Sequence, residues 1–428
     1  MRVALLNPDW TFEGSIYFGC REPHLPLELG WARQQLEAAG HLVLMLDGHL
    51  LGLADAEIAA EVAAFKPDLT VVTTAPTYLF WRCAQPELRV PMQLVQALDG
   101  IGGRTVAVGP HGSTTPRAAL RKLGTDAVAM GECEETLRAV AAGGWEDVPG
   151  LALWENGEIR VNGGPRATRF ADAPALSWPG EWVRRHHHHH HRFDDAPRGP
   201  GAEVEASRGC PYSCSFCAKE NFRDRYRRRE PGAVAAEIAA LQEQGVEYVY
   251  FIDEIFLPNR PLLEALVGRG LKFGVQTRID LWKPEMLELL GKAGCVSIEA
   301  GVESLTREGR DQLLKNCKLD TEELAERLIK AKRHVPFVQA NLLEMPQDDP
   351  AVIEQWRDRL RGEGVWANDP VPLFPYPGSP DYRRLWGLPD EEAWERAVDY
   401  YLDTFVDFSE LQEARPRRLP ELERTLAA

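Results

Sequence analysis

The chain runs to 428 residues, with 65 acidic against 49 basic side chains, a formal charge of −16 and a pI of about 5.3. That balance excludes a nucleic-acid surface spread over the whole protein, and no apolar run reaches the roughly 18 residues of a membrane span. With 44% hydrophobic and 27% charged residues, the composition is that of a globular protein long enough for two or three domains.

In chain order, strands are predicted at 3–6, 41–46, 69–74, 104–108 and 127–130, and helices at 27–39, 54–65, 91–98 and 115–123. The first strand opens the chain with no cleavable signal pattern. Helix 27–39 places Leu29, Ala32 and Leu36 on one face, and Gly40 closes it. Short β-rich runs alternating with helices predict a doubly wound parallel sheet, with a ligand site at the carboxyl ends of its strands. Those ends carry Asn7, Asp47, Thr73-Thr74-Ala75, Gly109-Pro110-His111-Gly112 and Gly131-Glu132. Small residues there let a large flat ligand approach the backbone.

A connector is expected over 145–200, rich in Gly, Pro and Trp, with Asn156-Gly157 as a two-residue hairpin turn. Six histidines follow, His186 to His191, between Arg185 and Arg192. Their internal position reads as natural, with a solvated linker, metal capture and substrate contact all open to them. Beyond the connector the pattern resumes, with strands predicted at 203–207, 248–252, 272–277, 296–300, 338–342 and 371–374. Helices are predicted at 232–244, 284–293, 321–334 and 350–362. The arginines at 223, 225 and 227–229 read as a solvated face, with an acidic ligand as the alternative. A last helix, 391–408, carries Trp394, Tyr400 and Tyr401.

Where strand 203–207 ends, the chain reads Arg208-Gly209-Cys210-Pro211-Tyr212-Ser213-Cys214-Ser215-Phe216-Cys217. A closed structural zinc site wants four ligands, usually paired C-x2-C units, and no second such unit exists. Three thiolates on one loop suit a cubane iron–sulfur cluster with one iron left open to a small molecule. Thiolates of this kind call for a reducing compartment, so a cytoplasmic location is expected.

This C-x3-C-x-aromatic-C pattern resembles the signature of the radical S-adenosylmethionine (SAM) superfamily. The strand ends of residues 1–140, with Pro26-Leu27-Glu28-Leu29-Gly30, look like the cobalamin-binding domain that precedes many of its members. The resemblance implies a Rossmann-like cobalamin domain over 1–144, the connector over 145–200, a partial six-stranded (βα) barrel over 201–382 and a helical extension over 383–428. It further implies that Cys210, Cys214 and Cys217 hold a [4Fe–4S] cluster. SAM would then be bound by Phe216, Asp253, Glu254, Gln276, Arg278, Glu303 and Ser304. Of these, Asp253 and Glu254 stand where the family holds the methionine ammonium, and Gln276 and Arg278 where its carboxylate can be met. Residues 341–346 lack the family's glycine-rich stretch beside adenine. Cobalamin falls to Asn7, Thr74, Gly109, His111, Gly112, Gly131 and Glu132, and Tyr376, in a Pro-Tyr-Pro-Gly segment, to the substrate side. Asp47-Gly48-His49-Leu50-Leu51-Gly52 matches the D-x-H-x-x-G pattern that supplies cobalt with a histidine. It follows the second strand rather than the first, so His49 is expected to be no ligand.

The implied activity is a cobalamin-dependent methyl transfer. SAM is cleaved to a 5′-deoxyadenosyl radical, and the substrate radical takes its methyl group from methylcobalamin. The substrate would be a small molecule or peptide and the reductant a flavodoxin or ferredoxin, with no nucleic acid or membrane partner. A cyclase or rearrangement enzyme that transfers no methyl group stays open. So does a methylthiotransferase, for which Cys20, Cys83 and Cys133 offer a foothold for a second cluster. A non-catalytic cluster sensor would leave the acidic SAM positions unexplained.

Overall fold

Alternating apolar strands and one-sided helices build two separate sheets in this computed structural model, which describes residues 1–10, 23–76, 88–186, 200–219 and 222–404. The chain divides into two units. One comprises Met1–Thr168 with Ala218–Asp224 and the residues from Pro375 onward; the other comprises Arg169–Cys217 with Arg225–Phe374.

In the first unit, β1 (Arg2–Asn7), β2 (Leu42–Asp47), β3 (Leu69–Thr73), β4 (Arg104–Val108) and β5 (Ala127–Ala129) pair in parallel in the order β2-β1-β3-β4-β5. Period-two alternation sends each strand's side chains to two cores. Val3 and Leu5 pack with Leu29, Ala32 and Leu36 of the helix Leu27–Ala38. Ala4 and Leu6 pack with Ile58 and Val62 of the helix Asp55–Phe65. Order reverses at β1, which places a crevice at the carboxyl ends of β1 and β3. The Asn156-Gly157 turn forms as expected, with φ of 51° and 83°. Its strands β6 (Leu151–Glu155) and β7 (Glu158–Val161) do not belong to a connector, however. They continue the sheet, β6 pairing antiparallel with β5, because Leu151 and Leu153 complete one core while Ala152 and Ile159 complete another.

In the second unit, β8 (Gly201–Val204), β11 (Tyr248–Phe251), β12 (Lys272–Thr277), β13 (Cys295–Glu303), β14 (Phe337–Leu342) and β15 (Trp366–Ala367) pair in parallel, in sequence order from one edge to the other. A short antiparallel ribbon, β9 (Ser207–Arg208) with β10 (Arg227–Arg228), brackets the cysteine loop in sequence. Right-handed crossovers that never reverse direction put every connecting helix on one face of the sheet. Helices fall close to their expected positions at Pro231–Glu243, Pro284–Lys292, Thr321–Lys332 and Pro350–Gly362. Further short helices, Arg260–Leu266 and Arg307–Gln312, had no sequence expectation.

Three expectations need correcting. The strand expected at 203–207 breaks into β8 and β9. The sixth strand is β15, not 371–374, where Val371 makes a single parallel bridge to Leu343. Pro370 and Pro372 lack the N–H a strand needs, and a side chain takes over the pairing. The Asn368 carboxamide accepts from Leu342 N–H at 2.8 Å and donates to Leu342 C=O at 3.3 Å. The arginine run is not one solvated face, since Arg229 is buried and pairs with Glu237 at 2.7 Å. It also donates to the carbonyls of Glu205 and Pro174, each at 2.8 Å. The C-terminal helix is described over Ala393–Thr404; the rest of the expected 391–408 helix, like His187 to His191, Cys20 and Cys83, lies outside the described residues. Among the described residues, no helix is long and apolar enough to cross a membrane.

Asn368→Ala leaves the Leu342 N–H unsatisfied at a buried edge, while the Leu342 carbonyl still accepts from Val371 N–H at 3.1 Å. It should cost about 1–3 kcal/mol in urea denaturation, whereas Asn368→Asp, which keeps the acceptor, should cost less.

Candidate functional site

The cysteine loop starts with a turn that only glycine can make. Gly209 has φ +77°, and a Cβ there would stand 2.1 Å from the Arg225 carbonyl oxygen. Before it, Arg208 is fully buried, paired with Glu205 at 2.9 Å and stacked over the Phe170 ring at 4.2 Å. Cys210, Cys214 and Cys217 are partly exposed thiols, whereas Cys133, Cys295 and Cys317 are buried. Ser215 N–H donates to the Leu313 carbonyl at 2.9 Å, tying the loop to the helix that follows β13. Phe216 is half-buried within the loop. Burial pushes the Cys214 thiol up, while Lys315 and Arg278 pull it down. A cleft of about 630 Å³ beside the loop is lined by Pro211, Tyr212, Ser213, Asp311, Leu314 and Asn316.

Two adjacent carboxylates brace this loop. Asp253, buried at the end of β11, accepts from Ala206 N–H at 2.8 Å and from the Ser207 hydroxyl. Glu254 accepts from Gly209 N–H at 2.7 Å. Burial pushes Asp253 well above the usual carboxylate range, against those two hydrogen bonds. Sequence reasoning reached this pair through its expected contact with a ligand and missed the bracing, which a strand-end position alone does not reveal.

The next two strand ends carry buried polar atoms without a protein partner: Gln276 Oε1, Arg278 Nη1 and Glu303 Oε2. Arg278 otherwise pairs with Asp280 at 2.8 Å and lies 4.1 Å over the Tyr212 ring, and Glu303 pairs with Lys315 at 2.7 Å. Ser304 donates to Asp348 at 2.7 Å, and Gly309 packs against it. A guanidinium N–H and a carboxylate oxygen left over at neighbouring strand ends match the two charges of an amino-acid head group. Three accessible thiols on one loop, with Lys315 and Arg278 close enough to act on Cys214, likewise fit an anionic iron–sulfur cluster.

In the first unit, the crevice at the order reversal holds a buried knot. Asn7 donates to Asp47 at 2.8 Å and accepts from Trp10 Nε1 at 2.8 Å and the Thr73 hydroxyl at 2.6 Å. Asp47 also caps the short helix Gly48–Leu51 through Leu50 N–H at 2.8 Å, with His49 half-buried on that helix. Burial pushes Asp47 up to about 7, opposed by Leu50 N–H and Asn7. Thr74 and His111, both buried, meet at 3.2 Å, and the Trp394 ring covers His111 with centroids 4.4 Å apart. Gly109 ends β4 beside them. Gly112 packs so tightly that a Cβ would stand 2.0 Å from Val128 Cγ1, while Gly131 bridges Arg166 and Glu132 accepts from Thr168 N–H at 3.0 Å. Asn7, Thr74, His111 and Glu132 are thus all buried and hydrogen-bonded within this unit, and Gly112 and Gly131 are held small by their neighbours. The small Thr73-Thr74-Ala75 edge is itself buried, and Thr74 N–H donates to the Val108 carbonyl at 2.9 Å. Tyr376 is half-buried, its carbonyl accepting from Ser379 N–H at 2.9 Å.

Asp253→Ala should lower the iron retained after anaerobic reconstitution from about four per chain to about half or less, because Ala206 and Ser207 lose their anchor. Asp253→Asn, which keeps an acceptor, should retain most of it. In the first unit, Asp47 binds its proton more tightly folded than unfolded, so stability should fall as pH rises from the ordinary 3.8 to about 7, by up to about 1.4 kcal/mol per pH unit. Asp47→Asn should flatten that dependence in pH-resolved urea melts.

Residues 204–358 match the family model described as the Radical SAM superfamily. Anaerobic magnesium-protoporphyrin IX monomethyl ester cyclase of Cereibacter sphaeroides is 28% identical over 77% of this chain and 55% of its own length. Hopanoid C-3 methylase of Methylococcus capsulatus is 25% identical over 83% and 68% respectively. The chain spans between 55% and 66% of the length of the cyclases and of the Pyrococcus horikoshii methyltransferase it matches. Among solved structures, the methyltransferase TsrM of Kitasatospora setae, with cobalamin and a [4Fe–4S] cluster bound, is similar with a TM-score of 0.69 at 18% identity, over 89% of this chain and 76% of that one. The cobalamin-dependent enzyme OxsB, with aqua-cobalamin bound, is similar with a TM-score of 0.71 at 15% identity, over 100% and 71%. Since the matched span opens on the last residue of β8 and takes in every strand through β14, residues 204–358 form a radical SAM domain, in a chain whose fold is similar to those of TsrM and OxsB.

Proposed function

We propose that the chain is a cobalamin-dependent radical SAM methyltransferase. The observation that carries this reading is the pairing of three accessible thiols on one loop with unpartnered Arg278 Nη1 and Glu303 Oε2 at the neighbouring strand ends. When bound, the cluster and SAM supply a one-electron cleavage that yields a hydrogen-abstracting radical, and cobalamin supplies the methyl group. Cys210, Cys214 and Cys217 hold the cluster. Asp253 and Glu254 fix the loop that carries them, through Ala206, Ser207 and Gly209. Arg278 receives the carboxylate of SAM and Glu303 its ammonium, each already held by a fixed partner, Asp280 or Lys315, so little side-chain freedom is lost on binding. Asn7 and Thr74 set the rim of the cobalamin crevice, and His49 is not needed for it. The second sheet serves as the partial barrel, with the substrate a small molecule or peptide and a small redox protein as electron donor.

The cyclases among its relatives keep a second reading open, in which no methyl group moves. The full chain, reconstituted with iron, sulfide and hydroxocobalamin and incubated with SAM and a chemical reductant, tests the two. Methyl transfer requires S-adenosylhomocysteine as well as 5′-deoxyadenosine, because SAM both remethylates and is cleaved. Formation of 5′-deoxyadenosine with no S-adenosylhomocysteine would overturn the methyltransferase reading and favour the cyclase one.

A further inference from the structure

Lysine side chains rarely lie inside a protein, because an ammonium loses hydration there that one hydrogen bond does not replace. Lys315 is buried, at 3% exposure. Its Nζ donates to Glu303 Oε1 at 2.7 Å, one acceptor for three N–H groups. The backbone on either side is strained to hold it there. Leu314 and Asn316 are left-handed, with φ of 52° and 53°, and Leu314 is 59% exposed. An apolar residue turned outward in that conformation gains little burial for its strain, so the turn serves its neighbour.

Anchoring the segment does not account for the lysine. Arg310, also buried, donates to the Ser304 carbonyl at 2.9 Å and to the Leu319 carbonyl at 3.4 Å. The Leu313 carbonyl accepts from Ser215 N–H at 2.9 Å. These bonds fix the segment and fasten it to the cysteine loop without Lys315. Nor does Glu303 need a buried cation for stability, since a neutral pair of similar volume often serves as well or better. What Lys315 adds is a positive charge at one place. Ser215 N–H belongs to the peptide that follows Cys214, so Lys315 lies two residues from a backbone contact with that peptide. After burial itself, the charge of Lys315 acts most strongly on the Cys214 thiol, ahead of Glu303 and Arg278. Arg278 is in turn committed to Asp280 at 2.8 Å.

We propose that Lys315 sets the reduction potential of the iron–sulfur cluster: held by Glu303, its buried ammonium lends positive charge on the Cys214 side and favours the reduced cluster. The inference rests on the radical SAM reading above, in which Cys214 is a cluster ligand. An added electron makes the cluster one unit more negative, and a fixed cation in a protein interior stabilises that charge. One electron passes from a low-potential donor, which is oxidised by one electron; no bond changes, and Lys315 keeps its proton. Lys315 is thus a positioning residue, holding Glu303 through a hydrogen bond and acting on the cluster through its charge. Glu303 carries the opposite charge and works in the opposite direction.

The test is a redox titration of the full chain reconstituted anaerobically with iron and sulfide, without SAM or cobalamin, so that only the cluster takes up electrons. Electron paramagnetic resonance follows the reduced cluster. Lys315→Gln keeps an N–H donor for Glu303 and drops the charge. It should shift the reduction equilibrium about ten-fold toward the oxidised cluster, a potential lower by about 59 mV. Lys315→Arg, which keeps the charge, should stay within about two-fold of wild type, and Glu303→Gln should raise the potential by about three-fold or more in the same equilibrium. Opposite signs from the two halves of one ion pair are what a merely structural role does not produce. An unmoved potential in Lys315→Gln, or shifts of one sign in Lys315→Gln and Glu303→Gln, overturns the inference. Where Lys315→Gln holds no cluster, Lys315→Met is read in its place. Should both lose the cluster while Lys315→Arg keeps it, Glu303→Gln decides: a raised potential sustains the inference and a lowered one overturns it. Loss of the cluster in all three Lys315 variants overturns it too, assigning Lys315 to packing alone. A wild-type chain that takes up no iron sinks the radical SAM reading and this inference together, whereas a loaded wild type with unmoved variants sinks the inference alone.

Discussion

The buried carboxyl of Asp253 is the tie on which the second unit's chemistry hangs. The strand entering the cysteine loop breaks between β8 and β9, and the break would leave Ala206 N–H and the Ser207 hydroxyl unsatisfied in a dry interior. Asp253 takes both, and its neighbour Glu254 takes Gly209 N–H. An acid held in the interior, with its proton affinity raised by burial, is destabilising on its own account. Its persistence makes sense as positioning: donors at residues 206, 207 and 209 together face two adjacent carboxyl groups, which fixes the path of the chain into Cys210.

Sheet topology decides the rest of the site. In the first unit, reversal of order at β1 splits the helices between two faces, so both faces become core and only the strand ends are left for a ligand. In the second unit, order runs one way from β8 to β15, so one face takes all the helices and the other must be satisfied differently. The alternation of buried Ile298 and Ala300 with half-buried Glu299 and Gly301 along β13 is the local imprint of that asymmetry. The same parallel pairing thus yields a sheet with core on both faces in one unit and a sheet with helices on one face in the other.

Much of this was legible in the sequence. Apolar strands with one-sided helices placed most strands within a residue or two, because burial of β-rich runs in a parallel sheet is a strong local constraint. The cysteine spacing was legible because loop chemistry is written in consecutive residues. What was hidden depends on contacts distant in sequence. Arg229 read as one of a solvated run, and only its meeting with Glu237 shows it as a buried anchor. The sixth strand was misplaced because the side chain of Asn368 imitates a backbone partner of Leu342, which no periodicity encodes. The tight fit of Gly112 and Gly131 was hidden too, since Val128 and Arg166, distant in sequence, occupy the space a side chain would need. Glu299, in a nine-residue strand, differs from its neighbours only by parity, and the face it joins became visible once register was known.

Strain is also gathered at the site. Of the five non-glycine residues with positive φ among those described, Glu303 ends β13, and Leu314 and Asn316 fall in the segment after it. Such conformations cost about 1–3 kcal/mol each and persist only where surroundings over-determine them. Here the surroundings are specific. Lys315, buried between two of these residues, pairs with the third, Glu303, at 2.7 Å, and Arg310 donates to the Ser304 carbonyl at 2.9 Å. Leu313, just before the strained pair, supplies the carbonyl that receives Ser215 N–H from the cysteine loop. The left-handed turn at Glu303 and the left-handed pair around Lys315 therefore hold one buried ion pair between them, with the cysteine loop fastened beside it. A straighter path through residues 303–316 would relieve the backbone, but it would separate Glu303 from Lys315 and free the loop. The fold keeps the strain because the positions of Cys214 and of the Glu303 carboxylate are set by the same short segment.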